Sequence, residues 1–141
     1  MSNQVLKTET ETTFISYDPL EGFVRVSSKE EVDLELRHAI ADMEASEKLL
    51  GGKMLPVVSD TRGIRSDTPE VRNYYSSPEG SKYIRAMGIV IDSLAMRMIG
   101  NFFIRVNKPP YPCKLFNKME EAERWIMQYV ETASPEAVLQ N

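Results

Sequence analysis

The fold is decided by the stretch Met87-Gly88-Ile89-Val90-Ile91, which is almost entirely apolar. A run of this kind predicts a central β-strand that is covered on both faces. Asp92 or Ser93 then caps a helix over residues 94–106. The apolar residues of that helix spread over close to half of its circumference, which is wider than one sheet-facing stripe requires. The stretch therefore predicts a strand and a helix, and the helix has more apolar surface than the sheet needs.

The same alternation of strands and helices continues on both sides of this unit. Residues 12–17 and 23–27 flank a turn sequence and predict a β-hairpin. The remaining predicted segments are a helix over 29–50 with Ser28 as its N-cap, a strand over 54–60, a helix that begins at Pro69 behind Thr68, a strand over 113–116 and a helix over 118–130. The order β-β-α-β-α-β-α-β-α predicts one α/β domain with a largely parallel sheet and an antiparallel hairpin.

Composition limits the classes of protein to which the chain can belong. It has 141 residues with 17 basic and 21 acidic side chains, so its net charge is −4. This mild acidity argues against a nucleic-acid-binding protein. Only one cysteine, Cys113, and one histidine, His38, occur, which excludes an intrachain disulfide, a cysteine-based zinc cluster and a histidine-rich metal site. We therefore predict no metal and no cofactor.

Hydropathy along the chain predicts its location and its boundaries. No apolar run reaches the ~18 residues of a membrane span, and the N-terminus lacks the apolar core of a signal peptide. The sequence thus predicts a cytoplasmic protein without a membrane span. Residues 1–10 are polar and predict a flexible tail, residues 11–131 form the predicted domain, and residues 132–141 are predicted to be a C-terminal tail.

The element order and the last third of the chain carry a family resemblance. The order at this size resembles the STAS domains, the sulfate-transporter and anti-sigma-factor-antagonist modules. The more specific residues are Gly100-Asn101-Phe102-Phe103, Asn107-Lys108-Pro109, Lys114-Leu115-Phe116 and Ala122-x-x-Trp125. They are similar to an uncharacterised family of small bacterial STAS-like proteins. The resemblance implies a small mixed sheet with helices mainly on one side, and it implies no assigned reaction.

The resemblance also points to a candidate phosphorylation or anion-binding site. In anti-sigma-factor antagonists, a Ser or Thr at a helix N-terminus is phosphorylated in an Asp-Ser-Ser-Gly-like motif. The corresponding hydroxyls here are Ser66 and Thr68, with Arg62 and Arg65 close in sequence, but the Ser-Ser-Gly signature is absent. Helix N-termini and nearby arginines favour negative charge. The alternative is ordinary helix capping with solvated arginines.

A second candidate site is apolar and contains Met87, Met98, Phe102 and Phe103. Three interpretations stay open for these residues. They form a pocket for a lipid-like ligand, a subunit interface along the 94–106 helix, or simply the core. The interface interpretation predicts a homodimer that Phe103→Glu converts to a monomer.

No catalytic residue is predicted. An enzyme would use Asp60, Ser66 or Asp92, but these residues lack the spacing of an activated nucleophile. His38 falls on the polar side of its helix, and Cys113 is predicted to be a packing residue.

The most consistent hypothesis is a non-enzymatic cytoplasmic interaction or regulatory module that self-associates as a homodimer, with a protein partner and a small apolar or anionic ligand as its expected partners. The alternative is a carrier of a small apolar ligand, and a weaker alternative is an enzyme.

Overall fold

The computed structural model describes residues 4–131 and contains a six-stranded sheet and a separate two-stranded sheet. The strands are β1 (Leu6–Glu9), β2 (Thr13–Tyr17), β3 (Val24–Ser28), β4 (Val32–Asp33), β5 (Leu55–Asp60), β6 (Ile64–Ser66), β7 (Ile84–Val90) and β8 (Cys113–Phe116). The helices are α1 (Leu36–Leu50), α2 (Pro69–Ser76), α3 (Pro78–Ser81), α4 (Leu94–Phe102) and α5 (Met119–Ile126). A π-helical turn (Phe103–Asn107) continues α4, and a 3-10 turn (Met127–Tyr129) continues α5.

The large sheet has the strand order β1-β2-β3-β5-β7-β8. Strands β1, β2 and β3 pair antiparallel, whereas β3, β5, β7 and β8 pair in parallel. The predicted hairpin and the predicted mixed sheet are therefore confirmed. Pro56 has no N–H to donate, and it lies in β5 beside an irregularity in the pairing with β7, as the chemistry of proline in a strand requires.

The sheet buries both of its faces over the parallel strands. On one face, Ile15, Val57 and Ile84 pack in a cluster that includes Met43 of α1 and Phe103 after α4, with the tyrosines of α2 against it. On the other face, a second cluster joins β5 and β7 to Ala122 and Ile126 of α5. Helices α1, α2 and α4 thus share one face and α5 takes the other, which agrees with the predicted arrangement of helices mainly on one side.

The first strand lies where the sequence predicted a flexible tail. Residues 6–9 form β1 and pair with β2 at the edge of the sheet. Most of β1 is exposed, so it has no apolar pattern by which it could have been recognised. Its order comes from the backbone ladder with β2, and Thr10 adds a hydrogen bond from its hydroxyl to Asp42 of α1 (2.5 Å). The predicted tail over 132–141 lies outside the described residues.

Helix α1 begins seven residues later than the predicted 29–50 helix. Glu31 has a positive φ of 54°, which a right-handed helix does not allow. Val32 then donates its N–H to the Gly63 carbonyl (3.0 Å) and joins β4, which pairs with β6. Ser28, the predicted N-cap, instead accepts a hydrogen bond from the Gly63 N–H (3.0 Å). The C-terminus is as predicted, because Gly51 ends α1 in the left-handed conformation at φ 69°.

Helix α4 begins and ends at well-defined caps. Of the two predicted caps, Asp92 and Ser93, the structure has Ser93, whose hydroxyl accepts a hydrogen bond from the Met96 N–H (3.1 Å). After Phe102 the backbone widens into the π-helical turn, and Lys108 ends it in the left-handed conformation at φ 53°. The predicted 94–106 helix is therefore present, with its last turn π-helical.

Candidate functional site

The outer face of α4 and its π-helical turn carries an exposed apolar stripe. The stripe residues are Leu94, Met98, Phe102 and Val106, with exposed fractions of 75%, 66%, 49% and 59%. Residues four apart lie on one side of a helix, and the stripe extends about 18 Å at 1.5 Å per residue. Single exposed apolar residues are common on protein surfaces, but a contiguous row of large ones along one helix is typical of an interaction surface. We refer to these four residues as the α4 stripe.

The four residues of the predicted apolar site are divided between two places. Met98 and Phe102 lie on the α4 stripe, whereas Phe103 is only 7% exposed and packs in the core beside Met87. The expectation that Phe103→Glu tests an interface was therefore wrong, because a glutamate there would be buried against apolar neighbours. Met98 and Phe102 are the positions at which a surface contact can be tested.

Charge is distributed unevenly around the α4 stripe. The segment 93–119 contains five basic residues and no acidic one, although the whole chain has a net charge of −4. Asp92, directly before the cap of α4, is exposed, and so is Lys108 at the other end. The Arg72 guanidinium stacks over the Phe102 ring at 5.6 Å. The stripe thus has an acidic residue at its start and a basic residue at its end.

A cavity lies beneath the same helix, between the sheet and the helices α1, α2 and α4. It has a volume of about 180 Å³ and is partly open to solvent, and Met87, Met96, Ile99 and Phe103 are among its lining residues. Interiors of proteins seldom leave voids larger than a water molecule.

The cavity wall also contains a buried carboxylate that the sequence analysis did not single out. Asp42 of α1 is 8% exposed and accepts hydrogen bonds from the hydroxyls of Thr10 (2.5 Å) and Thr13 (2.7 Å). Burial raises the pKa of Asp42, although the two hydroxyl bonds oppose the shift. Its position three residues after the buried Ala39 was the signal that could have identified it.

The arginines of the predicted anion site are already paired with carboxylates. Arg62 donates through Nε (2.9 Å) and Nη2 (2.8 Å) to Asp60, and these bonds lower the pKa of Asp60. Arg65 donates through Nε (3.0 Å) and Nη2 (2.5 Å) to Asp33 of β4. The Ser66 hydroxyl donates to the same carboxylate (2.7 Å). The Arg65 guanidinium, followed by Ser66, lowers the pKa of Asp33 to about 2.

Thr68 occupies the N-cap position of α2 as predicted, but its side chain accepts no capping hydrogen bond. The neighbouring Asp67 instead pairs with Arg72 at 2.5 Å between Oδ1 and Nη1. Burial raises the pKa of Asp67, against the opposing effect of Arg72. A phosphate on Ser66 would meet the Asp33 carboxylate, so the structure offers such a group no arginine without a partner carboxylate among Arg62, Arg65 and Arg72.

The other candidates for catalysis are held in structural roles. Burial raises the pKa of Cys113 to about 12, so its thiolate is scarce near neutral pH. His38 is buried and not on a polar surface as expected: its Nδ1 accepts from the Glu35 N–H (3.0 Å) and its Nε2 lies 3.0 Å from Glu11. Among residues 4–131, no three His, Cys, Asp or Glu side chains form a group suited to a metal ion.

Comparisons with known proteins extend this description. None of the helices within residues 4–131 is long and apolar enough to cross a membrane. No curated protein matches the chain. A solved structure that it resembles is an uncharacterised protein of the DUF3478 family with a SpoIIAA-like fold, from Shewanella loihica PV-4. The two are 12% identical, with a TM-score of 0.56 over 89% of this chain and 98% of that one, which confirms the STAS-like fold. Residues 17–130 match the family described as a domain of unknown function, DUF7793, and the chain therefore belongs to that family.

Proposed function

We propose that this protein is a non-enzymatic interaction module that self-associates through the α4 stripe. One observation carries the proposal: four large apolar side chains stand exposed in line on α4, whose opposite side, with Met96 and Ile99, faces the cavity. The STAS-like fold of an uncharacterised family fits an interaction module. The paired arginines, the buried thiol of Cys113 and the hydrogen-bonded His38 give little support to the enzyme alternative.

A second copy of the chain fits the stripe better in an antiparallel arrangement than in a parallel one. A twofold axis between Met98 and Phe102 places each of these residues against the other in the partner copy, and Leu94 against Val106. The same register brings Asp92 of each copy to Lys108 of the other. The antiparallel helix dipoles also attract. Two-fold symmetric pairing of one patch with itself is the commonest form of self-association.

The charges of the segment do not oppose this arrangement. In the antiparallel register Arg97 stands opposite residue 103 and Arg105 stands opposite Ala95, so no two arginines face each other directly. A parallel arrangement would instead place Arg97 beside Arg97 and Arg105 beside Arg105, and like charges repel. The sequence alone predicts the cytoplasmic location and the regulatory role, and they stay predictions.

The test is sedimentation velocity of the full chain over a series of concentrations. We expect a dimer for the unmodified protein and for Met54→Glu, which places the same charge on an exposed methionine outside the stripe. Met98→Glu should sediment as a monomer with an unchanged circular dichroism spectrum. A monomer for the unmodified protein at every concentration, or a dimer for Met98→Glu, would contradict the proposal.

A charge exchange tests the antiparallel register. Asp92→Lys and Lys108→Asp should each weaken the dimer, because each places like charges opposite one another. The double variant restores an opposite-charge pair and should recover most of the affinity. If the double variant loses as much dimer affinity as the two single variants together, the antiparallel register is wrong. The α4 stripe could then still be the contact, in another register.

A further inference from the structure

The cavity beneath α4 has the size and the walls of a binding site for a small molecule. Its walls include Ile15, Val57 and Ile89 from the sheet and Met96 and Phe103 from the α4 side. Its volume is about 180 Å³, slightly above the ~150 Å³ of an engineered apolar cavity that stays dry and takes up benzene. A space of this size therefore accommodates one aromatic ring with a short substituent.

The charged side chains at the cavity are already compensated inside the protein. The four carboxylates among them have partners: Asp42 with Thr10 and Thr13, Asp60 with Arg62, Asp67 with Arg72, and Glu47 with the Tyr83 hydroxyl. Lys53 is exposed to solvent. A charged ligand in the apolar part of the cavity would find no counter-charge there, and a buried unpaired charge is strongly unfavourable. The occupant must therefore be uncharged.

One polar group of a residue that lines the cavity lacks a partner among the described residues. The Nε of Arg72, a lining residue, is buried and has no hydrogen-bond acceptor among the described residues. A buried donor without an acceptor is unfavourable, and an uncharged ligand with a hydroxyl or carbonyl oxygen can supply the acceptor. Such an oxygen would hold the ring in one orientation, because the walls formed by Val57, Ile89 and Phe103 are apolar.

We propose that the cavity binds a small uncharged aromatic molecule that carries one hydroxyl or carbonyl oxygen. The site does not depend on self-association, since its lining residues lie on the inner side of α4 and the α4 stripe lies on the outer side. A monomeric protein would therefore not contradict this proposal, and the absence of ligand binding would not contradict the proposed dimer.

The test uses two probes of nearly equal size, benzyl alcohol and benzoate, and methyl NMR spectra of protein labelled at its methionines. Met87 and Met96 line the cavity, whereas Met54 and Met98 are exposed and lie outside it. With benzyl alcohol, we expect the Met87 and Met96 signals to shift and saturate while the Met54 and Met98 signals stay in place. With benzoate, none of these methyl signals should show a shift that saturates as the probe concentration rises. Absence of saturation with benzyl alcohol, shifts confined to Met54 and Met98, or equal binding of both probes would each overturn the proposal.

A pair of variants on α1 locates the site. Ser46 lines the cavity and is partly exposed, whereas Glu44 is exposed on the same helix and does not line it. Ser46→Phe fills part of the space and should weaken benzyl alcohol binding by at least about tenfold. Glu44→Phe and Met98→Glu should bind as the unmodified protein does. Undiminished binding by a folded Ser46→Phe variant would overturn the assignment of the site, and if that variant does not fold, the titration of the unmodified protein still decides.

Discussion

Phe102 and Phe103 are consecutive residues, and we expect their alanine variants to have very different stabilities. Phe103 is 7% exposed and packs against the sheet, whereas Phe102 is 49% exposed on the α4 stripe. The two substitutions remove the same atoms, so they share the same intrinsic change in the unfolded chain. The difference between them therefore measures what the folded protein does with each side chain.

The magnitudes follow from the surroundings of each ring. Truncation of a buried phenylalanine to alanine costs about 3–5 kcal/mol. Phe103 borders the cavity, so part of its surface has no contact to lose, and we expect the lower end, about 3 kcal/mol. For Phe102, the lost burial is roughly half of that of a fully buried ring, and the contact with Arg72 is lost as well. Together these losses amount to about 1.5 kcal/mol.

Urea unfolding measured by the fluorescence of Trp125 separates these outcomes. Trp125 packs between Phe116 and Tyr129 on the opposite face of the sheet, so neither substitution touches the reporter. With an m-value of ~1.5 kcal/mol/M, the midpoint should fall by about 2 M for Phe103→Ala and by about 1 M for Phe102→Ala. The protein concentration must be low, because self-association would add stability. Equal shifts, or a larger shift for Phe102→Ala, would refute the assignment of inner and outer faces.

Three further predictions concern other parts of the molecule. Asp42→Ala leaves the buried Thr13 hydroxyl without its acceptor and should lower the free energy of unfolding in urea by about 1–3 kcal/mol. Asp42→Asn keeps an acceptor and should lower it less. Equal stability of all three proteins would contradict this role of Asp42. Arg65 lowers the pKa of Asp33 to about 2 from 3.8, so the pair stabilises the fold above the ordinary pKa and loses this effect as the pH falls towards 2. Asp33→Asn should therefore flatten the decline in unfolding midpoint across that window, and an unchanged pH profile would show that the pair is not coupled to folding. Burial raises the pKa of Cys113 to about 12, so iodoacetamide at neutral pH should label the folded protein far more slowly than the urea-unfolded protein; similar rates would mean that the thiol is accessible.

Most strands and helices that a local pattern specifies were predictable from the sequence, but the capping signal at Ser28 was wrong and α1 begins at Leu36. The apolar run ending at Ile91 predicted the buried strand β7, Asp92 or Ser93 was predicted to cap α4, and Gly51 predicted the end of α1. These signals are local, because a cap or a buried strand depends on the chemistry of a few consecutive residues. The elements that were missed, β1, β4 and β6, are short or exposed, and backbone pairing with distant strands stabilises them.

The candidate site was predictable only in part, for the same reason. The wide apolar arc of residues 94–106 indicated that α4 has more apolar surface than the sheet covers, and the exposed α4 stripe agrees with that expectation. Periodicity places a residue on a helix face but does not say how far the sheet and the neighbouring helices extend around it. The sequence therefore grouped Phe102 and Phe103 together, and the structure separates them.

The sequence by itself determined the fold class, because alternating apolar runs, caps and turn residues favour one order of strands and helices. Only the tertiary structure decided which charges are paired, since Asp33 and Arg65, or Asp42 and Thr10, are distant in the chain and meet through strand pairing and helix packing. The cavity also exists only in the packed molecule. Its volume is the space that side-chain packing leaves between the sheet and three helices, and no local sequence pattern predicts this space.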